Sequence, residues 1–600
     1  MSKKKRAFPL ASKAHRAPQL LSQGSDAEAA RYRYLASVLY ATGRLTDALS
    51  AWQEAIIRDD SDAGTWLGMG EVLEALGRND LAVARYRRAC ELAPDNLKAR
   101  YSLGAALAQK EGCIAEALTE LRKAYAMAPA QSHDRACLAL LIMHHSMRIG
   151  LWDDLPALLA QTLEGARSTP PLSMAAFDFL AHPQATAADV LAVARANASQ
   201  LPAGKAPAVH TRRPRRKRLR VGYLSGDFRE HAVSFLTTGM FEAHDKSRFE
   251  TYAFSIFSST AASPRRKRIE AAMDHFIDVH EEGDEQLTRT IAAHGIDILV
   301  DLAGHTENNR RRVIARRPAP IQVNYLGYPA TCGIPTMDYI LADAITAPPG
   351  SEGEFSEAVV RLPECFQVND DSRARPMDTP TRAALGLPED GFVFCCFCNS
   401  YKINPDMFAR WCRMLAAVPG SVLWVVAREP VAEENFRAHA AAHGIDAARL
   451  IFAPRMGYED YLAHCRAADL FLDTQPFGAG TTASDALWMG VPVMTYPGAY
   501  FAGRMAASLL SCLGVPELVA PDAAGYEALA IELAREPQRL AVLRQRIEEQ
   551  RTRAPLFDTK RFTRHIERAY DMMWARFEAG LPPATINVPP LEQPLPSFAH

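Results

Sequence analysis

Cys396-Phe397-Cys398-Asn399-Ser400-Tyr401-Lys402-Ile403-Asn404-Pro405 and, about eighty residues on, Gly478-Ala479-Gly480-Thr481-Thr482-Ala483-Ser484-Asp485-Ala486-Leu487-Trp488 together decide the fold. The first stretch ends an apolar run, Phe392 to Phe397, on a polar turn that carries one lysine. The second follows the run Leu470 to Asp473 and opens a helix whose first turn is built of small and hydroxyl residues. Free N–H groups and the helix dipole at such a start attract an anion. A lysine and a helix N-terminus at the carboxyl ends of neighbouring strands form a pyrophosphate site, which implies a nucleotide-activated substrate.

Outward from that pair, short β-rich runs alternate with amphipathic helices. Leu219–Ser225, Thr251–Phe257, His275–Val279, Ile296–Leu302, Gln322–Tyr328 and Tyr339–Ala342 make one series. Phe392–Phe397, Val422–Ala427, Leu450–Ala453, Leu470–Asp473 and Val493–Tyr496 make a second. Strand and helix in alternation predict parallel, doubly wound α/β sheets, and the polar stretch Val368 to Glu389 divides them into two Rossmann-like lobes with a ligand cleft between. Phe557 to Phe577 reads as a helix packing back across the lobes.

The first third is different. With starts at 29, 63 and 97, Gly43 aligns with Gly77, Ala48 with Ala82, Trp52 with Tyr86 and Ala55 with Ala89, a period of 34. Small residues at these places let antiparallel helices approach while the aromatic fills the gap, which is the tetratricopeptide pattern. A third copy keeps Gly104, Ala117, Leu121, Ala124 and Pro129 but is one residue long near Gly112. Stacked pairs make a concave groove suited to a peptide or partner protein, or to assembly of a homodimer. The expected organisation is a basic disordered tail (1–28), repeats (29–130), a helical capping and bridging region (131–200), a basic Pro/Arg linker (201–218), an N-terminal catalytic lobe (219–367), an inter-lobe linker (368–389), a C-terminal catalytic lobe (390–556), a C-terminal helix (557–580) and a Pro-rich tail (581–600).

Composition excludes several function classes. The 68 basic and 69 acidic residues leave a net charge of −1, unlike a nucleic-acid or membrane-surface binder. No run of about 18 apolar residues occurs, so no membrane span is expected. The arginines from Arg212 to Arg220 lack interleaved aromatics and read as a solvated linker. The eleven cysteines are scattered through apolar segments, which fits a reducing, cytoplasmic location. Cys395 and Cys398 are a lone Cys-x-x-Cys without the second pair a metal site needs.

The repeats followed by Gly222-Tyr223-Leu224-Ser225-Gly226-Asp227-Phe228-Arg229-Glu230-His231, then Arg317-Pro318-Ala319-Pro320-Ile321-Gln322-Val323-Asn324-Tyr325-Leu326-Gly327-Tyr328-Pro329, then the two pyrophosphate segments, resemble the protein O-linked N-acetylglucosamine transferase and SPINDLY family over roughly residues 30 to 580. The resemblance implies a GT-B fold, inverting transfer from a nucleotide sugar to serine or threonine hydroxyls of acceptor proteins, and no cofactor or metal. Lys402 would contact the leaving phosphate, Thr481 and Thr482 the pyrophosphate, Asn399 the same oxygens, and His231 would act as general base or position the reactants.

The chemistry of the residues agrees. Departure of a nucleoside diphosphate builds negative charge that must be stabilised, and the only Asp-x-Asp, Asp60-Ser61-Asp62, lies in the repeats. Lys402 and the helix near Thr481 would supply the positive potential instead, with Asp485 accepting from ribose hydroxyls. His305, Gly327 and Arg504, each near a strand end, are further candidates. Gly480 stands where the N-acetylglucosamine transferases usually have histidine, and Tyr458 and Tyr461 replace polar nucleotide contacts. Gly304-His305-Thr306-Glu307-Asn308-Asn309 is nearer the SPINDLY branch, whereas Asp485 matches the N-acetylglucosamine branch. UDP-N-acetylglucosamine is the expected donor, with GDP-fucose as the enzyme alternative and a non-catalytic repeat scaffold as the alternative of another class.

Overall fold

The computed structural model describes residues 25–201, 215–257 and 263–592; the expected tail up to 24, linker residues 202–214 and the last residues, 593–600, lie outside the described residues. The chain divides into one unit running up to Ser146 together with Pro156–Gly165, and a second made of Met147–Leu155 and everything from Ala166 on.

In the first unit three helical pairs follow one another: Ser25–Ala41 with Leu45–Arg58, Ala63–Ala75 with Asn79–Leu92, and Leu97–Leu107 with Ile114–Met127. Helix therefore begins inside the stretch expected to be tail. Gly43, Gly77 and Gly112 turn each pair at φ of +80°, +75° and +78°, where a side chain would be strained. The extra residue of the third copy is absorbed ahead of Gly112, in the turn and not in a helix. A Cβ on Gly68 would collide with the Trp52 ring, and one on Gly70 with the ring of the fully buried Tyr86. Asp62 caps its helix by accepting from the Thr65 N–H at 2.8 Å.

The second unit holds two sheets. β1 (Leu219–Ser225), β2 (Phe249–Ser255), β3 (His275–Asp278), β4 (Ile298–Asp301), β5 (Ile321–Asn324), β6 (Tyr339–Asp343) and β7 (Ala358–Leu362) belong to the first. β8 (Val393–Cys396), β9 (Val422–Val426), β10 (Leu450–Ala453), β11 (Leu470–Leu472) and β12 (Val493–Met494) form the second, and β13 (Ile586–Asn587) returns to the first. The orders are β13-β7-β6-β5-β4-β1-β2-β3 and β10-β9-β8-β11-β12, all pairings parallel. Helices cover both faces of such sheets, which is why these strands read as continuous apolar runs. Each order reverses once, between β1 and β4 and between β8 and β11, and the crevices at those points take ligands.

Four parts of the expected organisation change. The C-terminal helix, Thr559–Glu578, belongs to the N-terminal lobe: Phe562, Ile566, Tyr570 and Trp574 repeat at a spacing of four and enter the core of the first sheet beside Val360. The segment expected to be a Pro-rich tail supplies β13, pairing Ile586 with Val360. The bridging region from Ala166 is part of the second unit: Tyr500 donates to Leu180 O at 2.8 Å, and Phe177 packs on Phe477 with ring centroids 5.6 Å apart. The described end of the basic linker is paired rather than solvated, with Arg215 on Asp571 and Arg218 on Asp274.

Met147–Leu155 also lies on the C-terminal lobe. Ser400 donates to Arg148 O at 2.6 Å, Asn435 to Ile149 O at 2.8 Å and His439 to Gly150 O at 2.8 Å, while Trp152 stacks on His439 at 4.2 Å. Among the described residues no helix is long and apolar enough to cross a membrane.

Gly70→Ala forces a methyl group into the Tyr86 ring, an overpacking that costs about 1–3 kcal/mol. Urea unfolding of the intact protein, followed by a probe in the repeats, is expected to show that loss.

Candidate active site

Residues that the sequence separates by eighty positions meet at the switch point of the second sheet. β8 runs out at Cys396, and the chain makes a single 3₁₀ turn over Ser400–Lys402 before Asn404 starts the next helix, Pro405–Ala417. Asn404 accepts from the Met407 N–H at 3.0 Å, with proline at the first helical position, and donates to Gln475 O at 2.7 Å. The two loops are thereby tied together.

Beyond β11, Asp473 is buried and accepts from the N–H groups of Thr474 (2.8 Å) and Ala479 (2.7 Å) and from the Thr495 hydroxyl (2.7 Å). Burial raises its carboxyl to about 6, against these hydrogen bonds. The loop so held ends at Gly480, and the helix Thr481–Trp488 begins with no side-chain cap. Thr481 and Thr482 are partly exposed, with Thr482 Oγ1 3.7 Å from Cys398 Sγ.

Lys402 points into this corner. Its Nζ donates to Gly478 O at 2.7 Å and lies 3.6 Å above the centre of the Phe477 ring. Burial pulls its ammonium below the ordinary lysine range, opposed by Cys398 and Asp473. An ammonium carries three donors, and a ring face and one carbonyl leave it short of acceptors. Asn399, exposed, lies at the head of the same turn, its carbonyl accepting from the Lys402 N–H at 3.0 Å.

Asp485, expected to accept from ribose, is buried and already engaged. Arg373 Nη1 donates to Oδ1 at 2.9 Å, and the Tyr458 hydroxyl donates to the same oxygen at 2.8 Å, so Oδ2 receives neither. Burial raises its carboxyl to about 6 despite the guanidinium. The Tyr458 ring stacks on Phe235 of the N-terminal lobe with centroids 3.8 Å apart. Phe235 lies one turn beyond His231, so this stack joins the His231 helix to the C-terminal lobe.

His231 caps the helix Ala232–Ala243: its Nδ1 accepts from the Val233 N–H at 3.3 Å and lies 3.5 Å from Asp227 Oδ2. Its side chain is 38% exposed, yet burial by the surrounding protein lowers its pKa, opposed by Asp227. His305 is committed within the protein: Nε2 donates to Cys332 O at 2.8 Å, and Nδ1 accepts from Arg311 at 3.0 Å. Gly327 is required by packing, since a Cβ there would collide with Leu302 O. Arg504 closes its own turn, donating to Gly498 O at 3.1 Å and Ala499 O at 2.7 Å. The structure thus gathers Lys402, Asn399, Gly480, Thr481 and Thr482 in one corner, sets His231 on the facing lobe, and gives His305, Gly327 and Arg504 local packing partners.

The sequence profile of glycosyl transferase family 41 matches residues 199–380 and 371–566, and a TPR repeat profile matches residues 70–111. The chain belongs to glycosyl transferase family 41. Among similar members, a probable UDP-N-acetylglucosamine–peptide N-acetylglucosaminyltransferase SEC of Arabidopsis thaliana is 35% identical over 390 residues, 64% of this chain and 40% of that protein. A protein named SPINDLY from Oryza sativa subsp. japonica is 34% identical over 372 residues, 61% of this chain and 40% of the relative. The chain spans about 40% of the length of these curated relatives. A mutant of the Thermobaculum terrenum O-GlcNAc transferase superposes with a TM-score of 0.64 at 28% identity, covering 92% of this chain and 98% of that one.

Two residues beside this corner escape the sequence reading. Gln367 lies just beyond β7, and Arg373 lies in what reads as linker. The pattern Ala358-Val359-Val360-Arg361-Leu362 was the available signal, because a strand there sets Gln367 at a strand's carboxyl end.

Arg373 and Asp485 are both almost inaccessible, so Arg373→Ala leaves a buried carboxylate uncompensated, at a cost of about 3–5 kcal/mol. Chemical denaturation is expected to show this loss, and the apolar pair Arg373→Met with Asp485→Leu to recover most of it.

Proposed function

We propose that this protein is an inverting, metal-independent glycosyltransferase that moves N-acetylglucosamine from UDP-N-acetylglucosamine to serine or threonine hydroxyls of proteins. The observation that carries this reading is the Lys402 ammonium, half-buried with one carbonyl acceptor beside an uncapped helix at the switch point of a parallel sheet. An ammonium with spare donors and the free N–H groups of a helix start attract an anion, and a diphosphate is one. In the reaction the bond between the anomeric carbon and the diphosphate oxygen breaks while the acceptor hydroxyl oxygen bonds to the opposite face of that carbon. The electron pair leaves with the diphosphate, where Lys402 and the N–H groups at Thr481 and Thr482 hold it. The hydroxyl proton leaves to a base or to water.

His231 enters this scheme as a hydrogen-bond donor. With Nδ1 accepting from Val233, the neutral ring carries its proton on Nε2, which suits orienting an oxygen rather than removing a proton. Metal independence is supported by Asp60-Ser61-Asp62, whose Asp62 is spent on a helix cap in the repeats. The printed names of the relatives favour the uridine donor. The repeats are proposed to hold acceptor proteins in their groove, with pairing of two chains as their other use.

Lys402→Ala is expected to cost on the order of 3 kcal/mol of transition-state stabilisation, or 10²–10³ in kcat/KM, with folding intact. Near-normal turnover of the variant in a sugar-transfer assay removes the lysine from the mechanism. Calorimetry with UDP and GDP identifies the base: GDP binding alone transfers the proposal to GDP-fucose, and binding of neither leaves a repeat scaffold.

Activity is expected to persist in excess chelator. Complete loss, restored by magnesium or manganese, refutes a metal-free leaving-group site.

A further inference from the structure

Gln367 has no role in the scheme so far, and its surroundings are unusual. It follows β7 in the N-terminal lobe, its residue is 2% exposed, and its Nε2 is buried with no hydrogen-bond partner. A buried amide donor left unpaired costs about 1–3 kcal/mol, so a site that keeps one needs a reason. The other end of the carboxamide shows where the side chain reaches. Oε1 lies 2.9 Å from where a Cβ on Gly480 would sit, which puts the amide group of one lobe against the residue that precedes the uncapped helix of the other.

The next neighbours of that Cβ position are the Met505 Sδ and Cε atoms, at 3.5 and 3.9 Å. A Gln carboxamide turns over about its last torsion at little cost, exchanging its oxygen and nitrogen. With an anion at the helix start, the turned-over group directs an N–H at that anion. Glycine at 480 is what leaves the room for it.

Resting on the reading of this corner as a diphosphate site, we infer that Gln367 is a donor-substrate binding residue, its carboxamide N–H reaching across the lobes to the sugar-bearing phosphate. Lys402 and the helix start hold the diphosphate from the C-terminal lobe; Gln367 is the hand from the N-terminal lobe. A group so placed recognises the second phosphate and is indifferent to the base.

The test compares UDP with UMP by calorimetry on the full chain, wild type against Gln367→Met, which keeps length and removes the amide. Losing a hydrogen bond to a charged group should weaken UDP about tenfold, while UMP, lacking the second phosphate, changes less than twofold. Gly480→Ala, whose methyl group displaces the carboxamide, should reproduce the selective loss with Gln367 intact, and covers the case in which Gln367→Met does not fold. Unchanged UDP affinity, or equal loss for UDP and UMP, overturns the inference and leaves the diphosphate site standing. Wild-type protein that binds neither UDP nor GDP overturns the site itself and the inference with it; if GDP alone binds, the same comparison is made with GDP and GMP.

Discussion

The buried carboxylate of Asp473 holds together everything the anion corner needs. Its hydrogen bonds to Thr474, Ala479 and Thr495 fix both ends of the loop between β11 and the helix Thr481–Trp488. Gly478, inside that loop, turns its carbonyl to Lys402, and Phe477 supplies the ring under the same ammonium. Because Asp473 spends its oxygens on the loop and forms no ion pair with Lys402, the cation stays available for a ligand. Satisfying the backbone with the acid and leaving the base unsatisfied is a division that a simple buried Lys–Asp pair would destroy.

Much of this was legible in the sequence because parallel strands buried on both faces announce themselves as apolar runs. Leu219–Ser225 and Leu450–Ala453 were read to the residue. Ala358–Leu362 was missed because Arg361 interrupts its apolar run; in the structure that guanidinium is buried and donates to Ala347 O and Pro348 O. Losing that strand hid Gln367. β13 is two residues long and carries no pattern of its own.

At the site, the residues fixed by local geometry were the readable ones. A lysine after a strand and paired threonines at a helix start are signals within a few positions of each other. Arg373 and Asp485, 112 positions apart, meet only because the inter-lobe segment crosses the C-terminal lobe. No spacing rule finds such a pair, so the sequence does not show that Oδ1 of Asp485 serves Arg373 and Tyr458. The same holds for His305, where the groups that take up its two nitrogens, Cys332 O and Arg311, are tertiary neighbours that no local pattern shows.

The short stretch Arg148 to Trp152 grips the C-terminal lobe through main-chain carbonyls, to Ser400, Asn435 and His439, and through one stacked ring. A grip made by backbone and located after the last repeat is blind to how many repeats come before it. Ser400, two residues from Lys402, is anchored by this grip, so the turn that carries the ammonium is held from a segment more than 250 positions away in the chain.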